Sequence, residues 1–204
     1  VKFMVGLFDD PYIRDLAAAD KIVEAPEHLA ISLRAARESL VLLKNHRNTL
    51  PLDLSKIKTI AVCGPNAMEQ DYARTHYGPL AVPVTTVLDG IRARVGEQVK
   101  VLYAKGCETV DHHFPDSEIM DYPLETTEQA AIDEAVANAH QADVVIAVMG
   151  GNQRTCGENK SRTSLELPGR QNDLLKALHA TGKPVILVLI NGRPLSVNWA
   201  ARTL

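Results

Sequence analysis

Apolar residues fall in short unbroken blocks along this chain, and the blocks are separated by segments with helical spacing. Residues 58–64, 99–103, 143–149 and 184–190 read as strands, and the last two are apolar at almost every position. A strand that is apolar on both faces must be covered on both faces. Alternation with helices therefore predicts an α/β fold: a mainly parallel sheet with helices on both sides, a three-layer sandwich. The predicted helices carry their own punctuation. Pro26 opens one in which Leu29, Leu33, Ala36, Leu40 and Leu43 form a single apolar stripe, running as far as Lys44. Thr85 or Thr86 caps a second, closed by Gly96. Thr126 with Gln129 predicts a capping box ahead of an Ala-rich helix to Ala142. Pro168 takes the favoured first position of a helix that Gly182 stops.

The remaining segments are turns and loops. Residues 1–25 contain turn formers and aromatics without a sustained period, and read as a linker leading into a sandwich domain at 26–204. The Tyr-rich segment 67–83 reads as loop, and 106–122 as a long polar excursion. Because the chain stops shortly after Trp199, a further strand and helix are expected beyond it, leaving the C-terminal part of the sheet truncated.

Composition narrows the function classes. Of 204 residues, 46% are hydrophobic and 23% charged, as in ordinary globular domains, and a net charge of -3 carries no nucleic-acid signature. No apolar run approaches the roughly 20 residues that span a membrane. The first residue is Val1, so the chain is expected to be a fragment, and its compartment stays open. Cys63, Cys107 and Cys156 are odd in number and lack metal-type spacing. Cys63 closes a strand and suits core packing. Cys156 has no evident base beside it and reads as a loop-packing thiol.

In a parallel sheet the loops after Cys63, Tyr103, Met149 and Ile190 share one edge, where open α/β sheets place ligands. That edge collects Pro65 and Asn66, the pair His112-His113, Glu158, and Arg193. The polar loop 150–163 is the candidate site. It holds the carboxylate of Glu158 after a permissive Gly157, among Arg154, Lys160 and Arg162, which can bind substrate or shape the loop. One carboxylate alone cannot run a retaining glycosidase cycle, which uses two about 5 Å apart. Other chemistries fit less well. Gly64-Pro65-Asn66-Ala67 lacks the glycine spacing of a dinucleotide fingerprint. No Gly-x-Ser-x-Gly elbow is present. His112 and His113, beside Asp111 and Asp116, have metal-donor chemistry, but adjacent side chains generally diverge. No cofactor and no metal are therefore expected.

Several stretches in order resemble the C-terminal sandwich domain of glycoside hydrolase family 3, the β-glucosidases and β-xylosidases. They are Gly6-Leu7-Phe8-Asp9-Asp10-Pro11-Tyr12, Ala36-Arg37-Glu38-Ser39-Leu40-Val41-Leu42-Leu43-Lys44-Asn45 with Leu50-Pro51-Leu52, and Ile60-Ala61-Val62-Cys63-Gly64-Pro65-Asn66-Ala67. Tyr77-Gly78 follows, then Arg162-Thr163-Ser164-Leu165-Glu166-Leu167-Pro168-Gly169-Arg170-Gln171, and the run from Gly182 through Gly192-Arg193-Pro194 to Trp199. The resemblance implies a retaining exo-acting enzyme that hydrolyses terminal β-linked sugars. Its Asp nucleophile would lie on a preceding (β/α)8 barrel, to which residues 1–25 are the linker. It further implies an acid/base Glu in a Glu-x-x-x-Arg loop before the Leu-Pro-Gly helix start, a form that Glu158 and Arg162 fit. Here the stretch reads Glu-Asn-Lys-Ser-Arg, where many members have Glu-Gly and an Asp before the Arg. Glu166 is the rival carboxylate, placed to stabilise the following helix start.

The implied partners are a β-linked oligosaccharide or aryl glycoside and the barrel of the same protein, with no nucleic acid and no membrane. Homo-oligomerisation is left open. The fragment alone should be inactive. Two alternatives stand beside the β-glucosidase reading: a β-xylosidase of the same family, or a non-catalytic domain that completes a pocket wall or docks a partner.

Overall fold

The computed structural model describes residues 1–12, 15–70 and 83–204. Tyr77-Gly78 and all of the Tyr-rich loop except 67–70 and 83 lie outside the described residues. The chain divides into two compact units, Val1–Lys44 and Asn45–Leu204. The expected boundary lay between residues 25 and 26; the division falls after Lys44 instead.

The first unit holds two helices. α1 (Leu16–Ile22) lies inside the segment read as linker, and its cue is local: the Asp15 carboxylate accepts from the Ala18 N–H at 2.9 Å. α2 (Pro26–Glu38) begins at proline as expected but stops before the predicted end at Lys44. The Ser39 hydroxyl turns back onto the Ala36 carbonyl at 2.9 Å. The following Leu40-Val41-Leu42-Leu43 has no polar face to complete an amphipathic helix. These four side chains are exposed.

The second unit contains a four-stranded, wholly parallel sheet: β1 (Thr59–Cys63), β2 (Lys100–Ala104), β3 (Val144–Gly150) and β4 (Val185–Ile190), in the order β2-β1-β3-β4. Side-chain alternation sorts the strands into two cores. Ala61, Cys63, Val145, Ala147 and Met149 face one layer, packed with α4 (Thr126–Gln141), α5 (Gln171–Ala180) and Ala200 of α6 (Asn198–Thr203). Ile60, Val62, Val144, Ile146 and Val148 face the other, packed with Leu88 and Val95 of α3 (Val87–Val95). The predicted three-layer α/β sandwich is therefore what the chain forms. The Asp143 carboxylate ties the amino ends together by accepting from the Lys58 and Thr59 N–H groups at 2.7 and 2.9 Å.

The helix starts show where local cues mislead. For α4 the capping box is one residue earlier than predicted: Glu125 is the N-cap, and Glu128, not Gln129, accepts its N–H at 3.0 Å. For α5, Pro168 does not begin the helix. Gly169 sits at φ +58°, a left-handed conformation that cannot propagate a right-handed helix, so α5 starts at Gln171. α5 has no side-chain N-cap, which forfeits about 1 kcal/mol. Leu174, Leu175 and Leu178 are fully buried, and each contributes about 1.5–3 kcal/mol. Packing, not capping, holds this helix.

At α3 the capping is as read from sequence, with Thr86 and Asp89 in a reciprocal box. Thr86→Ala should lower stability by about 1 kcal/mol. Chemical denaturation would read this as a lower midpoint with an unchanged slope.

Candidate active site

The order β2-β1-β3-β4 reverses direction between β1 and β3. The loops after these strands flank the switch point where doubly wound sheets open a crevice. Among the described residues, the first turns of these two loops are in direct contact there. Gly64 stands at φ +113°, and a Cβ on it would lie 2.1 Å from the Val148 carbonyl oxygen. Only glycine lets the loop press against β3 in this way. Asn66, fully buried, donates to the Gly151 carbonyl at 2.8 Å. Gly64-Pro65-Asn66 is thus a clasp between two loops, and its backbone is not offered to a phosphate.

A second clasp lies on the other face. The buried Gln171 amide accepts from the Gly150 N–H at 2.8 Å and donates to the Gly150 and Thr109 carbonyls at 2.8 and 3.0 Å. Asn152 donates to the Thr109 hydroxyl at 3.1 Å and to Glu69 at 3.2 Å. The carboxyl end of β3 is therefore fixed to the excursion after β2 before the polar loop begins.

From that base the loop rises into a tight turn. The Lys160 N–H donates to the Gly157 carbonyl at 3.2 Å, so Glu158 and Asn159 are the two central residues. Asn159 has φ +61°, the positive value that the third position of a type II turn requires and that asparagine tolerates. Glu158 is exposed at the tip. On one flank Arg193, from the loop after β4, donates to the Lys160 carbonyl at 2.7 Å. A Cβ on Gly192 would lie 2.7 Å from the Cys156 sulfur, so that thiol is packed between loops.

Arg162 anchors the other flank. Its side chain is only 2% exposed and pairs with Glu118, itself 4% exposed, while a second nitrogen donates to the Glu166 carbonyl at 2.9 Å. Glu118 also accepts from the Thr163 N–H and hydroxyl at 2.7 and 2.9 Å. Burial pushes the Glu118 carboxyl up, but the Thr163 N–H, the Arg162 guanidinium and the Thr163 hydroxyl outweigh it and leave it below the ordinary carboxylate range. A carboxyl depressed in the folded state stabilises the fold above its unfolded pKa, and that contribution fades as pH falls through the folded value. The stability advantage of the native chain over Glu118→Gln should therefore be full at neutral pH and shrink on acidification below the ordinary carboxylate range. Thermal midpoints measured against pH would show the two curves converging.

The other candidates fall as follows. Arg154 and Lys160 are exposed around the turn. Glu166 does not sit at a helix start, because α5 begins five positions later; its backbone forms a parallel bridge with Ser196. Cys63 and Cys107 are buried, and burial pushes both thiols up, Cys63 to about 12, which suits packing and not nucleophilic work. Glu118, Gln171 and Asn152 escaped sequence reasoning as site residues. Nothing in the local pattern marks a carboxylate that closes a contact 44 positions away. Gln171 was visible only as the last residue of a helix-start motif.

The glycosyl hydrolase family 3 C-terminal domain matches residues 40–203. The chain belongs to glycoside hydrolase family 3. It is similar to a β-xylosidase of Formosa agariphila, 40% identical over all of this chain and 27% of the relative. It is also similar to a periplasmic β-glucosidase of Salmonella typhimurium, 43% identical over 97% of this chain and 27% of the relative. Among solved structures, a β-glucosidase of Erythrobacter marinus superposes with a TM-score of 0.78 at 35% identity, covering 97% of this chain and 28% of that one. The chain thus spans about a quarter of the length of these family 3 proteins. No helix among its described residues is long and apolar enough to cross a membrane.

The expectation that the adjacent imidazoles diverge is not met in this family 3 domain. The rings of His112 and His113 approach to 3.8 Å between centroids, and both face the Glu125 carboxylate, not Asp111 or Asp116. The turn responsible is closed by the Asp111 carboxylate, which accepts the His113 N–H at 2.9 Å.

Proposed function

We propose that this chain supplies Glu158 as the general acid/base of a retaining exo-β-glycosidase, and that the Asp nucleophile stands on a (β/α)8 barrel elsewhere in the intact protein. The observation that carries this reading is the position of Glu158. It is an exposed carboxylate at the tip of a short turn, raised from the carboxyl edge of the sheet and braced at its base by a buried ion pair. A side chain so placed can reach over a pocket that another domain provides. The relatives named above support the reaction class, and their greater length leaves room for the barrel.

In the proposed cycle the Asp carboxylate attacks the anomeric carbon while Glu158, protonated, gives its proton to the departing glycosidic oxygen. The C–O bond breaks and a covalent glycosyl-enzyme forms. Glu158, now a carboxylate, takes a proton from water as the water oxygen attacks the same carbon and releases the sugar and the Asp. Arg162 plays no direct part, since its guanidinium is committed to Glu118 and to the Glu166 carbonyl. Arg154 and Lys160 are the exposed cations available to meet sugar hydroxyls near the turn. The substrate class is a terminal β-linked glucoside, with β-xyloside as the second reading, because the two relatives carry those two names.

The test is Glu158→Gln in the intact enzyme, assayed on a series of β-glycosides of graded leaving-group pKa. The proposal expects kcat/KM to fall steeply with leaving-group pKa in the variant and gently in the native enzyme. Equal small losses across the series would remove Glu158 from the acid role.

A further inference from the structure

The excursion between β2 and α4 holds a cluster that the glycosidase reading does not use. Nε2 of His112 lies 3.0 Å, and Nε2 of His113 3.8 Å, from the same Glu125 carboxylate oxygen. One donor atom from each of the three side chains lies within 4.8 Å of the other two. Donors bound about 2.0–2.1 Å from one tetrahedral ion stand about 3.4 Å apart, a value that the two histidine–carboxylate separations bracket.

We propose that His112, His113 and Glu125 bind a divalent transition-metal ion, Zn²⁺ by ligand class, that braces the excursion against the start of α4. Two imidazoles and one carboxylate are the protein donors of an open zinc site, with the fourth position left to water. Imidazole donors select against Mg²⁺ and Ca²⁺, which prefer oxygen. All three side chains reach solvent, at 57%, 32% and 43% exposure, so an ion and its water can enter without unfolding the loop. The His113 ring is stacked on Tyr122 at 3.8 Å and 6°, which fixes the orientation a ligating imidazole needs.

The consequence is structural. His112 and His113 lie on the same excursion as Glu118, which grips Arg162 and Thr163 at the base of the Glu158 turn. Glu125 is the N-cap of α4. An ion across them would cross-link the strut that carries that grip to a helix of the core. Binding at this site does not depend on Glu158 being catalytic, so the two proposals can fail separately.

The experiment is calorimetric titration of ZnCl₂ into the intact protein, compared with His112→Ala, His113→Ala and Glu125→Gln. One saturable site is expected in the native protein, weakened at least about tenfold in each variant. Zn²⁺ should also raise the thermal midpoint of the native protein and not of the variants. Co²⁺ in place of Zn²⁺ should give the visible bands of a four-coordinate ion, lost in the variants. Circular dichroism without metal checks folding. If His113→Ala disturbs the Tyr122 stack, His112→Ala and Glu125→Gln decide, since both side chains lie at the surface. Absence of uptake by the native protein with Zn²⁺ in molar excess overturns the proposal, as does uptake as tight in the variants as in the native chain.

Discussion

Under the proposed acid/base assignment, replacing Glu158 by Gln in the intact protein should lower kcat/KM on a disaccharide by about 10²–10⁴-fold, the usual contribution of a positioned proton donor. At 1.36 kcal/mol per decade this is about 2.7–5.4 kcal/mol of barrier. The loss arises because an alkoxide leaving group needs its proton as the bond breaks, and glutamine has none to give. An activated aryl leaving group departs without help, so formation of the glycosyl-enzyme should be nearly unchanged on such substrates. Its hydrolysis still lacks a base, however. Steady-state kcat should therefore fall with KM falling alongside it, as the covalent intermediate accumulates. A surface carboxylate with no catalytic part would change neither substrate class. An isosteric change at an exposed turn tip should also leave stability within about 0.5 kcal/mol, so the kinetic effect is separable from folding.

The largest stability effect should come from the pair beneath that turn. Arg162→Met leaves the Glu118 carboxylate buried without its cation, and breaking a buried pair in this way costs about 3–5 kcal/mol. Glu118→Leu leaves the guanidinium stranded at a similar cost. The double substitution removes both charges, and apolar side chains can pack in the space. It should be less destabilised than either single variant, a non-additivity that a double-mutant cycle in denaturant reads directly. Single variants within about 1 kcal/mol of the native chain would show that water reaches the pair and that it behaves as a surface bridge. Activity should follow stability here in a particular way. The Glu158 turn loses its footing in the single variants, so kcat/KM should fall without the leaving-group dependence that the proposal assigns to Glu158 itself.

The layered fold was legible because its cause is local. Blocks such as 143–149 and 184–190 have no polar face and suit a sheet covered on both sides, and their alternation with helical segments gave strand direction and layering. Helix ends were less legible, because neighbours decide them. Leu40 and Leu43 continue the stripe of α2 on paper, yet the chain leaves the helix at Ser39. Pro168 is a good first residue, yet Gly169 fits against Val110 and Asp111 in a left-handed conformation and delays α5. The candidate loop was found because it follows a buried strand at the carboxyl edge. Its frame was not, because Glu118, Gln171 and Asn152 act through contacts many residues distant in sequence. The two histidines show the same limit. Their neighbours in sequence were the wrong acids, and the carboxylate they face, Glu125, stands at the start of α4, twelve or more positions further on.

The most direct test of the acid/base assignment is product analysis with azide. In Glu158→Ala, turning over an activated aryl β-glycoside, the anomeric carbon of the trapped glycosyl-enzyme is open to a nucleophile that needs no base. Added azide should raise the rate and yield the β-glycosyl azide, with the native enzyme and Glu166→Ala giving only the free sugar. Unchanged turnover with no glycosyl azide from the Glu158 variant, or the same product from Glu166→Ala, would contradict the assignment.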